Sequence, residues 1–382
     1  MVNISTLPRL VFLTSKYPNV NDIYAHAFVH QRALGLLNLG CQVEVFVPSK
    51  VFDCYSWDGV KVTRAPAETL AAMLGKEDFC YVHLLNFNID KRLSGYPIYK
   101  KIRELQIKSA LYMHGSEVQK YFSRLFDFKF SARELARYAY KDLYKIPKMK
   151  SFIEGIGEQC KFVTPSLWMK EEAEAQLGIK FKKVEIIPNG IDTKLFSSQA
   201  YKYSQPMKMV TIRPLSSNKY AVDIAIKIVS KLPSSYTLDI YGSGVLLPSL
   251  KKLAGKLKVN DRVRFIDEFV PHAELPSILS KYGIYLSPTR MDAQGVMMCE
   301  AMANGNLVVS SNNTAVPEFI QNKYNGITAD NENINEIADN IIWASKKDNF
   351  SRLASNGVMT VQDIDQSKIA ELDALMISSF IN

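Results

Sequence analysis

Two carboxylates, Asp292 and Glu300, stand eight positions apart in a stretch that reads IYLSPTRMDAQGVMMCEAMANGNLVVSS from Ile284. The pattern is a strand, a loop with Pro288 and Gly295, a helix from about Val296, a stop at Gly305 and another strand. Asp292 then lies in the loop and Glu300 about one turn inside the helix. At ~1.5 Å of rise per residue the two are at most about 12 Å apart, the scale of an extended nucleotide-sugar rather than of one sugar ring. One carboxylate could hold each end. Between them Ala293, Gln294, Gly295, Val296 and Met297 open the helix, where unpaired N–H groups and a partial positive charge would receive a phosphate. The local alternative is that Asp292 caps the helix and Glu300 is solvated on its polar face.

A phosphate also calls for cations. Arg213 ends an expected strand at 208–212, and Lys219, six positions on, opens the helix after it, so both can point into the cleft beside Ala293 to Met297. Otherwise they are two solvated surface cations. Tyr241-Gly242-Ser243-Gly244 is a glycine turn after a strand, but Leu247 takes the third glycine's place in the Gly-x-Gly-x-x-Gly pattern. Gly242 and Gly244 therefore form either a tight turn or part of a nucleotide-holding loop. His114 follows a strand at 109–113 and precedes Gly115, at the carboxyl edge of a sheet. His26, His30, His83 and His272 lack metal-ligand spacing and receive no role. The five cysteines, 41, 54, 80, 160 and 299, are scattered and odd in number, which speaks against a disulfide framework and structural zinc. No metal and no cofactor is expected.

The elements that must position these residues alternate along almost the whole chain. Strands are expected at 10–14, 43–47, 80–84, 109–113, 162–164 and 184–187, with a helix at 25–39, as in parallel sheets with crossover helices. After a polar break at 197–206 the alternation restarts, with strands at 208–212, 237–241, 263–266, 283–286 and 307–309. The expected fold is α/β: two Rossmann-like, doubly wound domains, 1–200 and 201–365, facing a central cleft that holds the ligand beyond the strands' carboxyl ends. A last helix at 366–380 has an amphipathic pattern in Ile369, Leu372, Leu375, Met376 and Phe380, and is expected to pack back on the first domain with the rest of 366–382.

With 382 residues, two domains are the natural count, and 47 Lys plus Arg against 38 Asp plus Glu give +9, which favours anionic partners. No run of 18 apolar residues occurs, and 1–9 lacks a basic region followed by an apolar stretch, so a cytoplasmic protein is expected. Residues 121–150 carry eight Lys or Arg, three Asp or Glu and eight Phe or Tyr. Such interleaving suits an anionic membrane surface, which would make the protein peripheral on the inner face of the cell membrane; it also suits stacking on single-stranded nucleic acid, or rings packed inward on ordinary helices. Nothing else supports a nucleic-acid partner.

The 284–311 segment resembles the signature of the family 4 retaining glycosyltransferases, two acids with seven residues between them flanking a glycine loop before an EAM-A-G helix. Glu300, Ala301, Met302, Ala303 and Gly305 match; Asp292 stands for the family's usual Glu and Gln294 for a common aromatic. Other pieces resemble the family in order: Met113-His114-Gly115-Ser116-Glu117, Val163-Thr164-Pro165-Ser166, Ile187-Pro188-Asn189-Gly190-Ile191-Asp192, Arg213 to Lys219, the glycine turn, and Val316-Pro317-Glu318. The Arg–Lys spacing is six instead of five, with Pro214 inserted and Tyr220 for a Gly, and the first loop, 17–28, has no glycine at all.

The resemblance implies the GT-B fold and a retaining, metal-independent transfer from a nucleotide-sugar donor, UDP favoured and GDP open, to a glycan or lipid-linked acceptor in bacterial surface-polysaccharide assembly. It implies Arg213 and Lys219 on the diphosphate, Asp292 on the sugar, Glu300 on the ribose, and His114 near the donor sugar. The base and ribose would lie near the glycine turn, Glu300 and the loop at 268–270. Two rivals share the architecture: a nucleotide-sugar epimerase or phosphorylase, and a non-catalytic partner subunit of a glycosyltransferase.

Overall fold

A computed structural model describes residues 7–87, 94–127, 131–197, 205–268 and 270–381. The chain divides into two compact units, Met1–Gly190 with Gln366–Asn382, and Ile191–Asp365. Most of the polar break, 198–204, lies outside the described residues. The division falls about ten residues before the boundary expected at 200, because Ile191 and Phe196 belong to the second unit's core, where the short helix Thr193–Phe196 lies against Val296–Ala303.

In the first unit the described strands are β1 (Leu10–Leu13), β2 (Val43–Pro48), β3 (Asp53–Trp57), β4 (Val60–Ala65), β5 (Phe79–His83), β6 (Ser109–Tyr112), β7 (Cys160–Thr164) and β8 (Val184–Ile186). Their order is β3-β4-β2-β1-β5-β6-β7-β8, parallel throughout except β3 against β4. β1, β2, β5 and β6 are buried along their whole length, as strands covered by helices on both faces must be. The hairpin β3–β4 was not among the expected strands. It turns at Asp58 and Gly59, both with positive φ, and Asp-Gly is the sequence signal for that turn. Strand order reverses at β1 and β5, which makes that pair the unit's switch point.

Helix Gln366–Ile381 belongs to this unit and lies on helix Ala27–Asn38, so closely that a Cβ on Gly35 would stand 3.0 Å from the Ala370 Cβ. Its inward face differs from the expected one. Ile369, Ala370, Asp373, Ala374, Met376 and Ile377 are buried, while Leu372 and Leu375 are exposed. Ile369 and Met376 of the expected face are buried with Ile377, while Ala370, Asp373 and Ala374, which a search for large apolar side chains passes over, take the places expected for Leu372 and Leu375.

The second unit has β9 (Lys208–Ile212), β10 (Thr237–Tyr241), β11 (Val263–Ile266), β12 (Ile284–Ser287), β13 (Leu307–Ser311) and β14 (Ile327–Ala329), of which β14 was not expected. The order β11-β10-β9-β12-β13-β14, all parallel, is the Rossmann order, with the switch between β9 and β12. Loops leaving the carboxyl ends of those two strands carry Arg213 and Asp292. Among the described residues no helix is long and apolar enough to cross a membrane.

Candidate functional site

Arg213 is the first residue beyond β9, and its N–H still bonds the Tyr241 carbonyl at 3.0 Å, which fixes its backbone to β10. The backbone from Arg213 to Ser216 rests directly on the glycine turn. Gly242 has φ +142° and a Cβ there would fall 2.0 Å from the Arg213 carbonyl oxygen; Gly244 has φ +151° and its Cβ would fall 2.3 Å from the Leu215 carbonyl carbon. The Leu215 N–H bonds the Ser243 carbonyl at 2.8 Å. Both glycines are thus required by the seat they form for the Arg213 loop, whatever else the turn does.

The guanidinium of Arg213 is buried at 8% exposure. It donates from Nη2 to the Ser287 hydroxyl at the end of β12, and its Nη1 lies 3.8 Å from Asp292 Oδ2. Its Nε–H is buried and has no hydrogen-bond partner among the described residues. Burial opposes the charge, but Tyr285, Asp292, Tyr220 and Glu300 outweigh it and hold Arg213 above its ordinary value. The cation stays charged with one strong donor idle.

Lys219 does not open the following helix. It sits in a single 3-10 turn, Asn218–Tyr220, and helix Val222–Val229 starts after Ala221 takes a left-handed conformation. The turn nevertheless brings the two cations together: the Arg213 guanidinium is 5.3 Å and the Lys219 ammonium 5.4 Å from the centre of the Tyr220 ring. Tyr220, noted in the sequence only as a departure, is their common platform. Thr289 Oγ1 and the Arg290 N–H bond the Lys219 carbonyl at 3.1 and 2.8 Å, and Arg290 pairs with Asp223 at 2.8 Å. These bonds tie the β9 loop to the β12 loop.

Asp292 takes part of the capping role and keeps an oxygen for another. Its Oδ1 accepts from the N–H groups of Gly295 at 2.9 Å and Gln294 at 3.4 Å, while Oδ2 is the oxygen turned to Arg213. Gly295, at φ +80°, starts helix Val296–Ala303 without a side-chain cap. Ala293, Val296 and Met297 are half-buried, Gln294 and Gly295 buried. The first-turn N–H groups have no carbonyl four residues back inside the helix, so their donors face whatever enters the loop.

Glu300 is not solvated: it is 7% exposed, and its Oε1 is 2.7 Å from His272 Nε2. That bond, against the cost of burial, raises the imidazole above its ordinary value, with help from the Glu300 and Asp192 charges. His272 carried no signal in the sequence beyond being a histidine. Of the 268–270 loop, Phe269 lies outside the described residues.

His114 belongs to the first unit. Its Nε2 is 3.2 Å from His83 Nδ1, its ring lies against Phe28 and Tyr112, and burial keeps it neutral, well below the ordinary value. The glycine-free first loop bends at His26, which takes the left-handed conformation, φ 51°, and bonds Thr14 Oγ1 at 2.9 Å. A histidine anchored by its ring does there what a glycine does by having none.

The family described as glycosyl transferases group 1 matches residues 196–357, most of the second unit. This unit is similar to a group 1 glycosyltransferase domain. The chain is similar to the phosphatidylinositol N-acetylglucosaminyltransferase gpi3 subunit of Schizosaccharomyces pombe, 27% identical over 143 residues, covering 36% of this chain and 31% of that protein. It is also similar to the amylovoran biosynthesis glycosyltransferase AmsK of Erwinia amylovora, 27% identical over 160 residues, 39% of each chain. Both matches span less than half of the relative's length. In fold, it resembles HepE of Anabaena, solved with UDP and glucose, at a TM-score of 0.72 and 14% identity over 97% of this chain and 100% of that one. Both Rossmann-like units therefore have counterparts in that fold, and the stretch matched by the family contains Arg213, Lys219, Asp292, Glu300 and the glycine turn.

Proposed function

We propose that this protein is a retaining glycosyltransferase of family 4 type that moves a sugar from a nucleotide-diphosphate donor, UDP before GDP, to a hydroxyl of a glycan or lipid-linked acceptor in bacterial polysaccharide biosynthesis. One observation carries this reading. The buried Arg213 guanidinium, at the switch of β9 and β12, keeps an unpartnered Nε–H beside Lys219 and a helix start. A buried charged donor left unbonded costs free energy until an acceptor arrives, and a pyrophosphate supplies acceptors of the right charge. UDP and glucose in HepE support the donor class, and the amylovoran relative supports a polysaccharide acceptor.

Breaking the bond between the anomeric carbon and the diphosphate leaves positive charge on the ring and negative charge on the departing oxygen. Arg213, Lys219 and the first-turn N–H groups stabilise the latter without reorganising. Asp292 Oδ2 accepts from a sugar hydroxyl and Glu300 from the ribose; His114, as a neutral imidazole, exchanges one hydrogen bond with a sugar hydroxyl. The leaving phosphate takes the acceptor's proton on the same face, which retains configuration. With two protein cations on the diphosphate, turnover is expected to be unchanged by EDTA.

The protein would work in the cytoplasm, peripheral to the inner membrane face. Support comes from apolar side chains exposed among the cations of 121–150: Phe122, Leu125, Leu135 and Leu143. Residues 128–130 of that segment lie outside the described ones. A second reading, a non-catalytic partner of another glycosyltransferase, draws on the Schizosaccharomyces relative, which is itself named as one subunit.

A thermal-shift panel of UDP- and GDP-sugars, followed by acceptor-free hydrolysis of the best donor, separates the readings. A shift of about 2–5 °C with one nucleotide class, and slow release of the free sugar, is the expected result. No shift with any donor points to the non-catalytic partner; an isomerised nucleotide-sugar points to the epimerase.

A further inference from the structure

The first unit has its own switch point, and it is open. A cavity of about 340 Å³ lies at the carboxyl ends of β1 and β5, lined in part by Ser15, Lys16 and residues 84–87, which follow those strands. Lys16 comes from the loop after β1; Lys141 and Lys145 come from a five-residue π-helical turn, Lys141–Lys145, between helices Ala132–Tyr140 and Ile146–Ile156. Single π turns are rare and recur at functional sites. Among the described residues none of these three ammonium groups is in an ion pair with a carboxylate. The floor is apolar, with Leu85, Phe87 and Met149 each buried.

The other titratable groups on the cavity do not cancel the cations. His26 is neutral, held down by burial, to about 4. Glu117 accepts from the His114 N–H at 3.3 Å and the Ser116 hydroxyl at 3.4 Å, and burial pushes it up to about 7, so it carries only part of a charge near neutrality. Lys141 is pushed down to about 8, again by burial, and stays mostly protonated there.

We propose that this cavity binds the phosphate of an alkyl phosphate, with the oxygens on Lys16, Lys141 and Lys145 and the first carbons of the chain on Leu85, Phe87 and Met149. Three cations above an apolar floor match a ligand that is anionic at one end and hydrocarbon at the other. A free phosphate would leave the floor unused; a neutral alkyl glycoside would leave the cations unused. That the alkyl phosphate is the lipid-linked acceptor rests on the glycosyl-transfer reading; that the cavity binds it does not.

The test is calorimetric titration of the intact chain with hexyl phosphate, inorganic phosphate and hexanol. Wild type is expected to bind hexyl phosphate roughly tenfold more tightly than either other probe. Lys141→Met with Lys145→Met should weaken it roughly tenfold, Lys141→Arg with Lys145→Arg should restore most of the affinity, and Arg213→Ala should leave it unchanged. Equal affinity for inorganic phosphate, indifference to the Met pair, or loss in Arg213→Ala overturns the proposal. UDP titrated into the same samples keeps the readings apart: UDP binding without hexyl phosphate binding refutes the cavity alone, and the reverse refutes the donor site alone.

Discussion

His272 and Glu300 form a pair whose strength depends on the imidazole proton. The folded histidine is raised above its ordinary value near 6.5 by the 2.7 Å bond, so the pair's contribution to stability is complete below that unfolded value and is lost as pH rises through the folded one. His272→Asn should therefore cost up to about 1 kcal/mol at pH 5.5, after screening of the partly exposed ring, and progressively less toward pH 8.5 in urea unfolding. A cost independent of pH would show that the bond holds a neutral histidine. The acids and cations of this site were legible because their spacing along a strand-loop-helix has a chemical meaning. His272 and Tyr220 were not: each acts through a partner far off in sequence or through its ring face, and neither leaves a local pattern.

Most strands were legible from β-branched runs and turn residues, since a buried parallel strand can hardly be written otherwise. The exceptions have physical reasons. β3 is half-exposed and antiparallel at the sheet edge, and β14 is three residues long. The glycine turn offers the sharpest test at this scale. Gly242→Ala puts a methyl into the Arg213 carbonyl and should lower stability by roughly 2 kcal/mol or more while displacing the Arg213 loop, so donor affinity should fall in protein that remains folded. Donor affinity equal to wild type would mean that the seat is not needed. The last helix depends on one ion pair: Arg32 Nη1 lies 2.7 Å from Asp373, which also accepts from the Tyr81 hydroxyl at 2.8 Å, and both charged side chains are buried. Asp373→Ala strands the guanidinium and should cost about 3–5 kcal/mol in chemical unfolding; a cost below about 1 kcal/mol would show that the helix is held by apolar contact alone.

Across the whole molecule the excess of cations, +9, is compatible with two anionic partners at different places, a nucleotide diphosphate at one switch point and a phosphate or phospholipid surface at the first unit. Sedimentation with anionic liposomes should carry the protein down at low salt and release much of it at high salt; absence from the pellet in both would assign the exposed residues of 121–150 to some other contact. The central claim is narrower and lies at 213 and 219. With the best donor from the thermal panel, Arg213→Ala and Lys219→Ala should each lower kcat/KM by ~10²- to 10³-fold with little change in Tm, as removal of a partner for transition-state charge does. Turnover within about threefold of wild type in both variants would contradict it, because a diphosphate stabilised elsewhere would not register their loss.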